Sequence, residues 1–203
     1  MKVRLPAVLL VVFVLFTGCL SIETHISFED RESGTITNVY RIDRDYLVDD
    51  AVASPSGELP LPASEADARS TARLVDGLSL EAYTRSQDGD REVIEVTFRF
   101  ASIGALNGVY GAYAGDEPII FDGDIYRQRI SEGVNDAPTD EAAELLGFFV
   151  GEDERIHFSV SFADRISAVS EGMVEDDATA SVERSLEDLL EESEPVYWEI
   201  ELE

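Results

Sequence analysis

Two histidines, His25 and His157, are the side chains that could support proton-transfer chemistry. Each falls on the polar side of an alternating apolar and polar segment, which favours an exposed strand residue over a general base. The chain has no G-x-S-x-G elbow, no Walker loop and no G-x-G-x-x-G motif after a strand. We therefore expect no catalytic residues and a protein that is not an enzyme. The alternative is an enzyme of unfamiliar type that uses scattered carboxylates.

Carboxylates are abundant, and two short runs of them could suggest a metal site. Asp88-Gly89-Asp90 and Asp122-Gly123-Asp124 resemble fragments of calcium-binding loops. Neither run has the glycine at position six or the closing glutamate at position twelve that an EF-hand needs. Because Asp-Gly pairs are typical of tight turns, we predict two turns here, with no metal site and no cofactor.

Cys19 is the only cysteine in 203 residues, and its surroundings give it a specific chemistry. It follows a short basic start, an apolar run over residues 7–16 and two small residues, which is the order found in a secretory signal. Small residues before a cysteine resemble the lipobox of bacterial lipoproteins, where the sulfur receives a diacylglycerol. We predict that residues 1–18 are a lipoprotein signal peptide and that Cys19 is lipidated. Two alternatives are an uncleaved membrane anchor and a cleaved signal without lipid.

A lipidated Cys19 would anchor residues 19–203 as one domain on the extracytoplasmic side of a membrane. No aspartate follows the cysteine, so by the lipoprotein sorting rule the anchor favours an outer membrane where the organism has one. No second thiol would remain, so packing must stabilise the domain without disulfides.

The charge of residues 19–203 is extreme. They contain no lysine and thirteen arginines against 43 acidic residues, a net charge of −30. Such a surface is a poor partner for nucleic acid and for bare anionic lipid. Depleted lysine with surplus acid is typical of proteins from saline habitats, where salt screens self-repulsion. An acidic bias in a high-GC genome explains the composition equally well.

Alternation and turn residues predict the strands, and spacing near 3.6 residues predicts the helices. We expect strands over 20–28, 35–42, 78–86, 91–101, 155–162, 178–183 and 196–202, and extended segments over 119–130. We expect helices over 46–52, 64–77, 102–113 and 140–149, and one or two helical turns over 185–190. Hairpins and helices come in blocks rather than in strict alternation. We therefore predict an α+β fold, a largely antiparallel sheet with helices packed on one face, in a single domain.

One segment has an unusual composition and supplies the candidate ligand-binding residues. Ile103, Leu106, Tyr110 and Tyr113 share a helical face, and glycines at 104, 108 and 111 each cost about 1 kcal/mol against alanine. Glycine permits close backbone approach, so one interpretation is tight packing against the sheet. The other is a helix that lifts to admit an apolar ligand onto these four side chains.

Several of these features occur together. Cys19 leads at once into an alternating strand, a glycine turn leads to a second strand, a Phe-x-x-Ile-x-x-Leu segment leaves the central hairpin, and the closing strand contains Trp198. In this the chain resembles the LppM-type (DUF3153-like) envelope lipoproteins. The resemblance implies an α+β domain on the outer face of a membrane, in a family for which binding of envelope lipid or glycolipid is discussed and no catalytic residues are defined. The chain departs from the family in its acidity and in an insertion over 186–190, which counts against an anionic lipid ligand.

These observations favour a membrane-anchored envelope lipoprotein that acts as a non-catalytic binding module for a lipid-like or apolar ligand or for a protein partner. The alternative is a structural or assembly subunit whose sheet edge or acidic face meets another envelope protein. The expected partners are the membrane, through the N-terminal lipid, and a lipid or an envelope protein, with no nucleic acid.

Overall fold

The computed structural model describes residues 20–43, 64–110, 117–131, 155–185, 188–189 and 192–203. Within these ranges the chain forms eleven strands and two helices. None of the described helices has the length and apolar character needed to cross a membrane. The predicted signal peptide, Cys19, Tyr113 and the helices predicted over 46–52 and 140–149 lie outside the described residues.

The larger of two sheets has seven strands. They are β1 (Leu20–Phe28), β2 (Gly34–Asp43), β3 (Leu78–Asp88), β4 (Arg91–Phe100), β7 (Arg155–Ser161), β9 (Met173–Asp176) and β10 (Thr179–Ser185). Their order is β3-β4-β2-β1-β7-β10-β9. Every neighbouring pair is antiparallel except β1 and β7, which run parallel. The strand that follows the predicted lipid anchor is therefore the central strand of this sheet.

The smaller sheet has four strands. They are β5 (Ile119–Asp122), β6 (Ile125–Ser131), β8 (Ile166–Val169) and β11 (Val196–Leu202), in the order β5-β6-β11-β8. Its inward positions are strongly apolar, and Tyr126, Trp198 and Ile200 are fully buried. Gln128 is also buried, where its side chain accepts a hydrogen bond from the Tyr126 hydroxyl at 2.8 Å.

One hydrophobic core contains side chains from both sheets. Phe28 of β1 contacts Phe121 of β5 and Tyr126 of β6 edge-on, with ring centroids 5.4 and 5.7 Å apart. Phe28 also meets Phe100 edge-on at 5.5 Å. Edge-to-face aromatic pairs contribute about 0.5–1.5 kcal/mol each beyond their burial. This aromatic cluster joins the two sheets near the end of β1.

The predicted α+β class, with helices packed on one face of a sheet, is wrong. The described chain is mostly β, and a second sheet covers the face that the helices were expected to cover. Helix α1 (Glu65–Leu74) contacts the edge strand β3, and helix α2 (Ile103–Val109) contacts β4 and β5. The physical reason lies in the short strands. β5 and β8 have four residues each, too few for a readable alternation, and β8 joins the sheet only through β11, about 30 residues further along the chain.

The two predicted hairpins are confirmed, and so are the predicted turns. β1 and β2 pair from Leu20–Ile42 to Phe28–Gly34, and β3 and β4 close at Asp88–Arg91. Gly89 and Gly123 adopt φ of +60° and +65°, the left-handed region that these two tight turns require.

Candidate functional site

The structure divides the four residues predicted to bind an apolar ligand. Leu106 is fully buried in the core, Ile103 packs against the core while partly exposed, and Tyr110 follows the helix with 40% of its surface exposed. Tyr113 lies outside the described residues. Ligand binding by this face therefore stays a prediction, and within the described chain only Tyr110 presents a large apolar surface from it.

Helix α2 is fixed by contacts that sequence reasoning did not identify. The Ser102 side chain caps it by accepting a hydrogen bond from Ala105 N at 3.1 Å. Asn107 is buried and exchanges two hydrogen bonds with the backbone of Ile119 in β5. An asparagine in an otherwise apolar helical stretch was the signal available for this contact.

Two glycines of α2 have different surroundings. A Cβ added at Gly108 would lie 2.5 Å from Val75 Cγ1, which is closer than real Cβ atoms approach a neighbour. Among the described residues, a Cβ added at Gly104 would meet only Ser102 Oγ, at 3.7 Å. Gly108 therefore allows close packing, but it packs against Val75, which follows α1, and not against the sheet.

A cavity lies at the end of the sandwich where the β1–β2 hairpin turns, and we call it the hairpin-end cavity. Its volume is about 220 Å³. Three buried apolar side chains, Phe28, Phe162 and Leu202, line it. The rings of Phe28 and Phe162 are stacked with their planes 2° apart and centroids at 5.4 Å. This end of the sandwich therefore combines an accessible opening with an aromatic floor.

Arg31 forms one wall of this cavity and connects three loops. Its Nε donates to Asp164 Oδ2 at 3.1 Å, and its Nη1 donates to Asp124 Oδ1 at 2.7 Å and to the Gly123 carbonyl at 3.0 Å. These bonds join the β1–β2 turn to the β5–β6 turn and to the loop after β7. Both carboxylates raise the pKa of Arg31, chiefly through these hydrogen bonds, so its charge is secure.

Acidic groups form the rest of the rim. Glu29, Asp30 and Asp164 all line the cavity. Asp30 Oδ1 accepts hydrogen bonds from the backbone N–H groups of Glu32 and Ser33 at 2.8 and 2.7 Å. These bonds lower the pKa of Asp30 below its usual value, so it stays ionised well into the acid range. The site is therefore an apolar floor under a negatively charged rim.

The two histidines lie in β1 and β7, on the face of the larger sheet that points away from the core. Partial desolvation lowers the pKa of His25, opposed by the negative charge of Glu175 and reinforced by His157. No three histidine, cysteine, aspartate or glutamate side chains in the described part of the chain are placed to hold a metal ion. Among the described residues, neither histidine has a nucleophile as a hydrogen-bond partner.

Sequence reasoning missed the hairpin-end cavity altogether. Its residues come from the β1–β2 turn, the loop after β7 and the end of β11, which are far apart in the chain. The only local signal was a charged turn that follows Phe28.

Comparison with known proteins gives a result at the level of fold. No protein-family model and no curated protein matches the chain. The chain is similar to the NMR structure of the folded domain of LppM from Mycobacterium tuberculosis, with a TM-score of 0.50 and 10% sequence identity. The likeness covers 93% of this chain and 94% of that one. The chain therefore has an LppM-like fold, which confirms that part of the resemblance, whereas the link to DUF3153 stays a prediction.

Proposed function

We propose that this protein is an envelope lipoprotein, anchored through Cys19, that acts as a non-catalytic binding module on the extracytoplasmic side of a membrane. The sequence motif around Cys19 supports the anchor, and the LppM-like fold agrees with it. The sequence carries none of the nucleophile or nucleotide-binding motifs named above, so we extend the proposal to a role without catalysis.

The observation that carries the proposal is the position of β1. This strand begins at Leu20, directly after Cys19, and stands at the centre of the larger sheet between β2 and β7. A lipid on Cys19 would therefore hold this end of the sheet at the membrane without a linker. The opposite end of β1 lies about 27 Å away, at roughly 3.3 Å per residue, and carries the hairpin-end cavity. The geometry suits a module that presents a site to the space outside the membrane.

A second function, assembly with another envelope protein, is favoured by the edge strand β9. It is one of the two edge strands of the larger sheet, and its Met173 and Val174 are 63% and 44% exposed. An exposed edge strand with apolar side chains can pair with a strand of a partner.

Intact mass measurement tests the anchor. Protein extracted from its own membrane should lack residues 1–18 and carry an added diacylglyceryl group on Cys19. The Cys19→Ser variant should lose both the processing and the retention in the membrane. A variant that is processed and retained like the wild type would refute the lipoprotein proposal.

Native mass spectrometry of the same preparation separates the two functions. A bound small molecule that is lost on Tyr110→Ala, but kept on Tyr197→Ala, supports a binding module that uses the predicted face. Tyr197 is a suitable control because it lies on a different element, β11, and its exposed fraction of 45% is similar to the 40% of Tyr110. A stoichiometric protein partner without a small molecule, lost on Met173→Asp, would support assembly instead.

A further inference from the structure

We propose that the hairpin-end cavity binds a compact organic cation, an aromatic ring or short alkyl chain that carries an ammonium or guanidinium group. This inference rests on the proposed function, because it names the ligand class of one site in a binding module.

The size and floor of the cavity define the apolar part of the ligand. Phe28, Phe162 and Leu202 are only 4 to 7% exposed, so they form a preformed apolar surface. A volume of about 220 Å³ is below the range of roughly 300–1,000 Å³ typical of drug-sized ligands. An apolar cavity of about 150 Å³ holds a benzene molecule. The cavity therefore fits one ring or a chain of a few carbons.

The rim defines the charge of the ligand. Arg31 lines the cavity and Arg99 pairs with Glu29, which lines it; both arginines already donate to carboxylates. The carboxylates that line the cavity or pair with these arginines are Glu29, Asp30, Glu81, Asp124 and Asp164. Acidic groups therefore outnumber basic groups around the opening. This excess of negative charge attracts a cation and repels an anion.

Asp30 is the carboxylate best placed to meet the cation. One of its oxygens is used by the two backbone N–H groups of the turn. Within the described residues, no side chain forms an ion pair with Asp30. Its charge is therefore uncompensated, unlike those of Glu29 and Asp164, which pair with arginines.

The place of the cavity defines where the ligand comes from. It lies at the end of β1 opposite Leu20, about 27 Å away at roughly 3.3 Å per residue. With Cys19 anchored, the opening would face the aqueous space and not the lipid that anchors the chain. The ligand is therefore a small molecule in solution rather than a lipid of the same membrane.

A titration of the full-length chain in a neutral detergent tests this inference. The probe is 2-phenylethylammonium at about 0.15 M salt, and its isosteres are neutral 2-phenylethanol and anionic 3-phenylpropionate. We expect the cation to bind at least ten times more tightly than the alcohol, and the anion not to bind. Equal affinity for cation and alcohol, or no binding of any of the three, would overturn the proposal.

Matched variants locate the binding. Leu202→Trp fills the cavity without changing charge and should abolish binding, while Tyr197→Trp at the other end of the same strand should not. Ala163→Trp blocks the opening at an exposed residue, and it serves if Leu202→Trp does not fold. Binding that survives a folded cavity-blocking variant would place the cation elsewhere and contradict the proposal.

A charge-matched pair separates local attraction from the overall charge. Asp30→Asn should weaken binding of the cation three- to tenfold. Asp176→Asn removes the same charge from a similar turn, where Asp176 Oδ1 accepts from Ala178 N at 2.9 Å, and should leave binding unchanged. Equal effects would mean that net charge alone attracts the probe.

The test of cation binding and the test of lipidation at Cys19 have independent outcomes. If no cation binds while Cys19 carries its lipid, this inference fails and the proposed function stands. If the cation binds the cavity of a chain that is not lipidated, the anchored function fails and the site stands.

Discussion

The side-chain amide of Asn107 exchanges two hydrogen bonds with the backbone of Ile119. Its Nδ2 donates to the Ile119 carbonyl at 2.8 Å, and its Oδ1 accepts from the Ile119 N–H at 2.9 Å. The amide thus replaces a neighbouring strand at the edge of β5, and all of these groups are buried. This contact attaches α2 to the smaller sheet.

Replacement of Asn107 by leucine should destabilise the protein strongly. Two buried backbone groups would lose their partners, at about 1–3 kcal/mol each, so we expect a loss of about 2–6 kcal/mol in urea unfolding. The control is Thr24→Val combined with Asn38→Leu. Those side chains bond only to each other in the described structure, at 2.9 Å, so their joint replacement should cost far less. A similar or smaller loss for Asn107→Leu would contradict the role of the Ile119 contact.

Alanine at the two glycines of α2 should have opposite effects. Gly104→Ala should be neutral or stabilise by up to about 1 kcal/mol, because alanine is the better helix former and the site is open. Gly108→Ala should destabilise, because its methyl group would meet Val75 Cγ1 at 2.5 Å. Thermal unfolding of both variants provides the measurement.

A double variant tests the cause of the Gly108 effect. Val75→Ala removes the methyl groups that the new Cβ would meet, so Gly108→Ala should cost less in that background. Additive losses from the two substitutions would show that Val75 is not the obstacle.

The hairpins could be predicted from sequence because their strands are long and their turns are specific. Strands β3 and β4 span eleven and ten residues around an Asp-Gly turn, so both alternation and turn chemistry indicate the same structure. The smaller sheet could not be predicted in the same way. In β6 the inward residues include Gln128 and an outward residue is Ile125, which blurs the alternation of apolar and polar positions.

The hairpin-end cavity depends on contacts that no local pattern encodes. Arg31 meets Asp124 and Asp164 across 93 and 133 residues of chain. Asp164 comes near Arg31 through the parallel pairing of β1 and β7, and Asp124 does so when the smaller sheet packs over the larger one. Without knowledge of that second layer, sequence reasoning had no way to place them together.

Removal of Arg31 should loosen the contact between the two sheets at this end. We expect Arg31→Met to lower the free energy of unfolding by more than the loss of one surface ion pair does, because it breaks two partly exposed ion pairs and a hydrogen bond to the Gly123 carbonyl. Arg69→Met is the control: among the described residues the Arg69 side chain pairs only with Glu65 within α1, so its loss should cost at most about 0.5 kcal/mol. Equal losses in urea unfolding would show that Arg31 does not join the sheets.

Protonation of His25 should reduce stability as the pH falls. Desolvation lowers its folded-state pKa below 6.5, so the unfolded chain binds the proton more readily. The contribution of neutral His25 is therefore present above pH 6.5 and is lost as the pH falls from there through the lower folded-state pKa. His25→Gln should flatten this part of the pH dependence relative to the wild type, and Glu175→Gln should steepen it by removing the charge that raises the pKa of His25. The free energy of unfolding of the three chains is measured at pH 7.5 and at pH 5.5. If all three lose the same stability between these pH values, His25 is not the group responsible.

Salt should stabilise this protein if its composition is an adaptation to a saline habitat. The chain carries a net charge of −28, and many of its arginines sit in exposed ion pairs with acids. Salt weakens those pairs, but it also weakens the repulsion among the surplus acids, and the surplus is much larger. The Debye length falls from about 10 Å at 0.1 M to about 3 Å at 1 M, so simple screening is nearly complete by then. We expect the unfolding temperature to rise from about 0.1 M KCl and to continue rising at molar salt. Sucrose in place of KCl controls for solute exclusion, and a flat response to KCl would favour a compositional bias of the genome instead.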